Sequence, residues 1–432
     1  VARGLGSLLQ LPYRALFELA RIGASLAPAG AGKTLRALHA RRGIRARYRE
    51  WARSARDPAR PLLWIHAPSV GEGLQARPLI DLLRGSHPEV QIAYTFFSPS
   101  AESFAASLGA DFTDYLPFDT PGDARAALDA LRPRAIVFSK LDVWPIFARE
   151  AHARGVRLAL TSATLAEGSS RRRGLAAALL RDAYAALDSV GAIAPEDARR
   201  LVELGVSVGA ITVTGDTRYD QVWERALRVD RASALLAPLA SPRLTLVAGS
   251  TWPSDEEVLL PAWCRLRGSF PDARLVIAPH EPTEPHLTPI ESWAAGAGLS
   301  VARLGAQSAS TADVVLVDRV GVLGDLYSLA NVAYVGGGFH SAGLHSVLEP
   351  AAFAAPVLFG PRFDSSRDAR LLEDSGGGAH ARDVRELADR LAGLWSDHDV
   401  RQRAGEAARE VVRSGLGAAM RTSALVERLL FD

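Results

Sequence analysis

The sequence predicts an α/β protein made of two halves, each a parallel β-sheet covered by helices on both faces. Three observations predict this. Short apolar runs alternate with longer stretches of helical periodicity, the signature of strands buried from both sides. The chain has 432 residues, more than the ~100–200 usual for one domain. The alternation also breaks once, around residues 215–241, before it restarts.

In the first half the apolar runs are Leu62–Ala67, Val90–Phe97, Ala135–Ser139, Val156–Thr161, Val190–Ala194 and Ala210–Thr214. Helical periodicity covers 73–85, 101–109, 121–132, 175–187 and 196–205. The break holds Gly215-Asp216-Thr217, a charged stretch, and Ala237-Pro238-Leu239-Ala240-Ser241-Pro242, which reads as a linker. The second half resumes with Leu244–Ala248, Leu275–Ala278, Val314–Val317, Val332–Val335 and Val357–Phe359, with helices between. Segments 383–395, 398–413 and 417–431 are helical. The expected organisation is an N-terminal segment 1–40, two Rossmann-like domains at 41–230 and 231–415, and a terminal helix 416–432. Ligands of open α/β sheets bind beyond the carboxyl ends of the strands, so two such halves predict a cleft between those ends.

Hydrophobic residues make up 48% and charged residues 23%, ordinary for a globular protein and incompatible with disorder or a collagen-like repeat. Cys264 is the single cysteine, which excludes an intramolecular disulfide and a Cys-rich metal site. The net charge of +2 hides an asymmetry. Residues 1–60 hold 13 basic residues against Glu18, Glu50 and Asp57, an excess of ten, so the rest of the chain stands at −8. A basic, apolar N-terminus on a slightly acidic body suits an anionic membrane surface. Nucleic acid is the rival partner, but the arginines are not interleaved with the aromatics a stacking platform needs.

Residues 4–28 are apolar but interrupted by Arg14, Glu18 and Arg21. Charges near the middle of a span are costly, so a membrane-crossing helix is disfavoured. Leu16, Leu19 and Ala20 share one face, and the segment reads as an amphipathic helix lying in the interface. It lacks the cleavage pattern of a signal peptide. Arg41, Arg42, Arg45, Arg47 and Arg49 supply a second, electrostatic anchor. The alternative is a helix packed on the body with a solvated basic face. Ala29-Gly30-Ala31-Gly32-Lys33-Thr34 imitates a phosphate loop but has Ala27 where the first glycine belongs and no strand before it.

Four loops carry candidate chemistry. His66-Ala67-Pro68-Ser69-Val70-Gly71-Glu72-Gly73 ends the first strand and places a carboxylate, Glu72, at its tip; a helix-capping acid is the bland alternative. Gly249-Ser250-Thr251 leads into a helix whose N-terminus suits a phosphate, with Ser254 and Glu257 as a possible capping box. Pro279-His280-Glu281 offers a histidine to an anion. Gly336-Gly337-Gly338-Phe339-His340 lets the chain pass close to a ligand. Beyond it His345 and Glu349 stand at i and i+4, on one face of an expected helix. None of these loops matches the dinucleotide fingerprint, and there is no zinc-hydrolase or serine-elbow motif.

These residues, in this order, resemble the 3-deoxy-D-manno-octulosonic acid (Kdo) transferases of lipopolysaccharide assembly, from about residue 40 to 430. The resemblance is carried by Trp64–Glu72, Thr95-Phe96-Phe97-Ser98-Pro99-Ser100, Val213–Asp220, Gly249-Ser250-Thr251, Gly336–Pro350 and Pro356–Pro361. It implies a GT-B fold of two Rossmann-like domains, acceptor side first, with the final helix crossing back onto the N-terminal domain. It also implies CMP-Kdo as donor, a lipid A precursor as acceptor, the cytoplasmic face of the bacterial inner membrane, no cofactor and no catalytic metal. Glu72 matches the family's general base in an inverting reaction. The resemblance assigns the donor to Ser250, Thr251, His280, Gly337, Gly338, His345, Ser346 and Glu349, and the acceptor to Ser69, Gly71, Ser98, Lys140 and Asp142. Three positions depart from the usual pattern. Ser139-Lys140-Leu141-Asp142 replaces an acidic pair, and Lys140 would meet an acceptor phosphate or neutralise Asp142. His280 stands for an arginine, and Ser346 for an asparagine. A GT-B transferase of another activated sugar and a non-catalytic nucleotide-sugar-binding protein are the alternatives.

Overall fold

Strand-length apolar runs become two seven-stranded parallel sheets in the computed structural model, which describes residues 2–26 and 32–432. One unit comprises the chain up to Gln221 together with Leu416–Asp432, and the other Val222–Gly415.

In the first unit the strands are β1 (Leu62–His66), β2 (Gln91–Phe96), β3 (Phe112–Tyr115), β4 (Ala135–Ser139), β5 (Arg157–Ala163), β6 (Ser189–Ala192) and β7 (Ile211–Val213). Their order is β3-β2-β1-β4-β5-β6-β7. β1 lies centrally, with Ile65 beside Tyr94 on one side and Val137 on the other. All five of its residues are buried, as a strand covered on both faces requires. Trp64 packs edge-on against Phe147 at 4.9 Å, and truncating such a core aromatic costs roughly 3–5 kcal/mol. The terminal helix Ala418–Phe431 places Leu425, Val426, Leu429 and Leu430 in this same core. Asp220 caps its start by accepting from the Gly417 and Ala419 N–H groups at 2.7 and 2.9 Å.

In the second unit the strands are β8 (Thr245–Thr251), β9 (Arg274–Pro279), β10 (Val301–Arg303), β11 (Val314–Leu316), β12 (Val332–Val335), β13 (Val357–Phe359) and β14 (Gly378–His380). Their order is β10-β11-β9-β8-β12-β13-β14. Alternation along β8 divides the core in two. Leu246 and Ala248 join Trp263, Ile277 and Trp395 on one face, while Val247 joins Val276, Val315 and Tyr327 on the other. Cys264 is exposed on the helix Pro253–Arg267.

Three short strands, β3, β10 and β14, are additions to the sequence reading. The stretch 215–241 also differs from the expected linker. It holds the helix Thr217–Arg228, and Leu236 and Leu239 are buried in the second unit's core. Apolar spacing, not proline content, decides that segment.

Before β1 come α1 (Ala2–Leu26), α2 (Gly32–Ala40) and α3 (Ile44–Ser54). Ala29, Gly30 and Ala31 of the false phosphate loop lie outside the described residues, and Gly32 opens α2. α1 docks through one face. The Tyr13 hydroxyl donates to Asp119 at 2.8 Å, and Phe17 meets Trp144 edge-on at 5.5 Å. Burial pushes the Asp119 carboxyl up to about 6, against the Ile146 N–H, the Tyr13 hydroxyl and the Phe147 N–H, which all favour the anion. On other faces of α1, Leu11, Leu16, Leu19 and Ile22 are 51–65% exposed. Ala20, expected on the apolar face, is instead half-buried. Among the described residues no helix is long and apolar enough to cross a membrane. Of the five arginines expected to form a loose anchor, Arg41 is buried, and Arg45 and Arg47 pair with Asp123 and Asp114.

Candidate active site

The strand order marks where ligands bind in such sheets: beyond the carboxyl ends, where neighbouring strands leave in opposite directions. In the first unit that point lies between β1 and β4, and in the second between β8 and β12.

β1 ends at His66, and Ala67-Pro68-Ser69 turns the chain into α4 (Val70–Ser86). Glu72 is the third residue of α4. Gly73 follows because a Cβ there would stand 2.4 Å from the Phe104 ring and 2.6 Å from the Tyr94 hydroxyl. Ser69 caps the helix by backbone geometry alone, and its hydroxyl donates to the Glu72 carboxylate instead. Lys140 Nζ lies 3.4 Å from Glu72 Oε1. The Ser139 hydroxyl donates to the Glu72 carbonyl at 3.3 Å. The Glu72 side chain is 18% exposed. It is held by two neighbours yet open to solvent, and a carboxylate with about four acceptor sites retains capacity for a proton.

Lys140 follows β4 in a left-handed conformation, φ 66°. That is strained for a residue with a Cβ and is common at functional sites. The reversal sends Lys140 to Glu72, so the reading in which it neutralises Asp142 is corrected. Asp142 is bonded to His66 Nε2 at 3.0 Å and accepts from Trp144 Nε1 at 3.0 Å. Burial opposes its charge, but the bonds from His66 and Trp144 and the Arg171 charge outweigh burial and hold it below the usual carboxylate range. Gly71 is exposed beside Ser69. Ser98 is bonded to Ser100 Oγ at 2.8 Å after β2. Phe97, 40% exposed, stacks on Trp144 at 5.5 Å. The sequence places His66 at the tip of the first strand but does not show that it and Trp144 fix Asp142.

In the second unit β8 carries an irregularity between Gly249 and Thr251, where Ser250 has φ 54°. Thr251 is buried and donates to Glu256 at 2.8 Å. The loop after β12 passes close to its neighbours. Gly337 has φ 94°, and a Cβ on Gly338 would stand 2.4 Å from the Gly360 nitrogen. Asp255 organises all of this. Fully buried, it accepts from the Trp252 N–H at 2.9 Å, Gly337 N–H at 2.7 Å, Phe339 N–H at 3.2 Å and Tyr334 hydroxyl at 3.1 Å. The helix Pro253–Arg267 is thus capped by Trp252 and Asp255, and the expected Ser254–Glu257 box is corrected. The sequence signal for Asp255 was an acid in a first helical turn, which ordinarily marks only a cap.

Trp252 gathers three histidines. Its ring stacks with His340 at 4.1 Å and His280 at 4.5 Å, and His280 stacks with His345 at 4.5 Å. Trp252 Nε1 donates to His345 Nε2 at 3.1 Å. Burial lowers the His345 imidazole, and the neighbouring His280 and His340 add to the lowering. His280 and His345 are therefore brought together. His345 and Glu349 do not share a helix face: the helix is only Leu348–Ala352. Gly343 at φ 92° breaks the segment, and the His345 N–H returns to the Gly336 carbonyl at 3.1 Å. Ser346 is exposed just before this helix. Burial raises the Glu349 carboxyl, opposed by Arg225.

Two doubly wound units, each with polar loops at its switch point, place the protein in the GT-B class. Its fold is similar to that of the UDP-GlcNAc 2-epimerase from Neisseria meningitidis, with a TM-score of 0.63, 13% identity, and coverage of 86% of this chain and 99% of that one. The family profile described as 3-deoxy-D-manno-octulosonic-acid transferase (kdotransferase) matches residues 39–221. The 3-deoxy-D-manno-octulosonic acid transferase of Bordetella pertussis is 33% identical over 85% of this chain and 88% of its own. That of Haemophilus influenzae is 26% identical over 85% and 87%. The chain belongs to the Kdo transferase family of glycosyltransferases.

Proposed function

We propose that the protein transfers Kdo from CMP-Kdo to a hydroxyl of a lipid A precursor, with inversion and without a metal, in lipopolysaccharide biosynthesis. The carrying observation is Glu72: a partly exposed carboxylate at the β1–β4 switch point, bonded to Ser69 and Lys140. As general base it takes the acceptor hydroxyl proton while that oxygen bonds to the anomeric carbon. The bond from that carbon to the cytidylate breaks, and CMP leaves with the electron pair. Lys140, 3.4 Å from Glu72 Oε1, fixes the orientation of that carboxylate. Ser69, Gly71, Ser98 and Asp142 line the acceptor side in this reading.

The second unit binds the donor. Ser250, Thr251, Gly337, Gly338 and Ser346 offer backbone and hydroxyl donors to the phosphate, His280 and His345 add imidazoles, and Glu349 suits the ribose hydroxyls. Stabilising charge on the leaving phosphate is a large catalytic contribution. The exposed apolar residues of α1 support a helix lying on an anionic membrane, which for this substrate is the cytoplasmic face of the inner membrane.

The test is Glu72→Gln, assayed with CMP-Kdo and a tetraacylated lipid A precursor by CMP release and product mass. General base catalysis is typically worth ~10²–10⁴-fold, and a loss in that range is expected. Wild-type turnover in the variant removes Glu72 from its role. A melting temperature raised by UDP-sugars but not by CMP-Kdo removes the donor assignment.

A further inference from the structure

Trp252 has no part in the transfer step, yet three imidazoles gather around it. Its own place is fixed from two directions. Asp255 holds its backbone N–H at 2.9 Å. Its indole stacks with His340 at an interplanar angle of 3° and with His280 at 23°. So held, Nε1–H points at His345 Nε2, 3.1 Å away. An indole nitrogen only donates. His345 Nε2 therefore accepts, and the one proton of the neutral ring sits on Nδ1. A second proton would set donor against donor. Burial also disfavours the His345 cation, joined by His280 and His340. Asp255 opposes them, but its oxygens already accept four bonds. Among the described residues His345 Nδ1 has no hydrogen-bond partner, and the side chain is only half-buried. His340 is fixed in the opposite sense. The Ala342 N–H donates to its Nδ1 at 3.1 Å, which puts its proton on Nε2. Neighbouring rings of one residue type thus carry their protons on different nitrogens, which stacking alone does not require.

We propose that Trp252 is a positioning residue for the transfer: it holds His345 as the neutral Nδ1–H tautomer, and that N–H donates to the phosphate of the departing cytidylate. The inference rests on the reading of this site as the one that takes CMP-Kdo. In the donor the phosphate is a diester with a single negative charge. As the bond to the anomeric carbon breaks, its electron pair stays on the phosphate oxygen and the charge doubles. A donor fixed in advance grows stronger as that charge develops and needs no reorganisation. His345 keeps its proton throughout, and CMP leaves with the electron pair alone.

The full chain, with nitrogen-15 in its histidine rings, is read by proton–nitrogen correlation, and His345→Asn assigns the His345 signals. Wild type should show a protonated Nδ1 and a bare Nε2. Trp252→Phe keeps a ring for the stack but removes the N–H, so the two nitrogens should average between tautomers. Kinetics with CMP-Kdo and a tetraacylated lipid A precursor supply the second readout. One hydrogen bond is worth roughly two- to tenfold. Trp252→Phe should lower kcat by about that factor, with a smaller rise in the CMP-Kdo dissociation constant, because the bond strengthens as the leaving charge grows. Asparagine places an amide N–H where Nδ1 stands and has no tautomers. In the His345→Asn background Trp252→Phe should therefore cost nothing further. Equal losses in both backgrounds make Trp252 a packing residue and overturn the proposal, as does a wild-type His345 proton on Nε2. Wild type that binds CMP-Kdo, with Trp252→Phe at full kcat, overturns the proposal alone. Wild type that binds no CMP-Kdo overturns the donor reading as well.

Discussion

Asp255→Asn tests whether one buried carboxylate builds the donor loops. Asp255 Oδ2 accepts from Trp252 and Gly337, and Oδ1 from Phe339 and Tyr334. Asparagine retains one carbonyl oxygen. With that oxygen in the Oδ2 position, its amide nitrogen faces the Phe339 N–H, donor against donor, while the Tyr334 hydroxyl rotates to accept. A buried donor left unpaired costs about 1–3 kcal/mol. Three further bonds lose their ionic partner, and charge-assisted bonds are roughly twice as strong as neutral ones. Together these give a local destabilisation of about 3–5 kcal/mol, enough to free the Gly337–Phe339 loop without unfolding a domain held by two large apolar clusters. Urea unfolding reads the stability, and titration with CMP-Kdo reads the affinity. The affinity is expected to fall at least tenfold, with Asp255→Ala worse. Stability within about 0.5 kcal/mol of wild type, together with unchanged donor affinity, refutes the reasoning.

Other outcomes follow from particular contacts. In Gly338→Ala the new Cβ meets the Gly360 backbone, so the loop must move; a loss of roughly 1–3 kcal/mol and weaker donor binding are expected by the same two measurements. Asp119 has a folded value of about 6 against an ordinary 3.8, so the native state holds an extra proton between those values. Its contribution is full below about pH 4 and is lost as the pH rises through 6, by about 3 kcal/mol for a shift near two units. Asp119→Asn should flatten that part of the pH dependence of urea unfolding, and an identical profile in the variant contradicts the placement of the proton.

The central strands were legible because strands buried on both faces are written as continuous apolar runs. Leu62–His66 and Val332–Val335 needed no structural help. Phe112–Tyr115, Val301–Arg303 and Gly378–His380 were not legible. They are outermost in their sheets, short, and in part exposed, so neither run length nor alternation announces them. Glu72 could be singled out because glycines flank an acid at the tip of a strand. Its tie to Lys140 was not legible, because it depends on a backbone reversal that sequence does not encode in a non-glycine residue. Asp255 and His340 escaped for a related reason: their roles come from loops brought together across the sheet, not from spacing along the chain. The expected His345–Glu349 face failed because Gly343 and the His345–Gly336 bond keep that segment extended.

The single thiol gives the second unit a ready experimental handle. Cys264 is exposed on the helix that begins at Pro253, beside Trp252. At 1.5 Å per residue it stands about 16 Å along the axis from that end. A maleimide dye would therefore attach once per molecule, with no engineering, on the rigid rod whose other end carries the histidine stack. Quenching or depolarisation of that dye would report nucleotide arrival in real time and leave the reacting groups untouched.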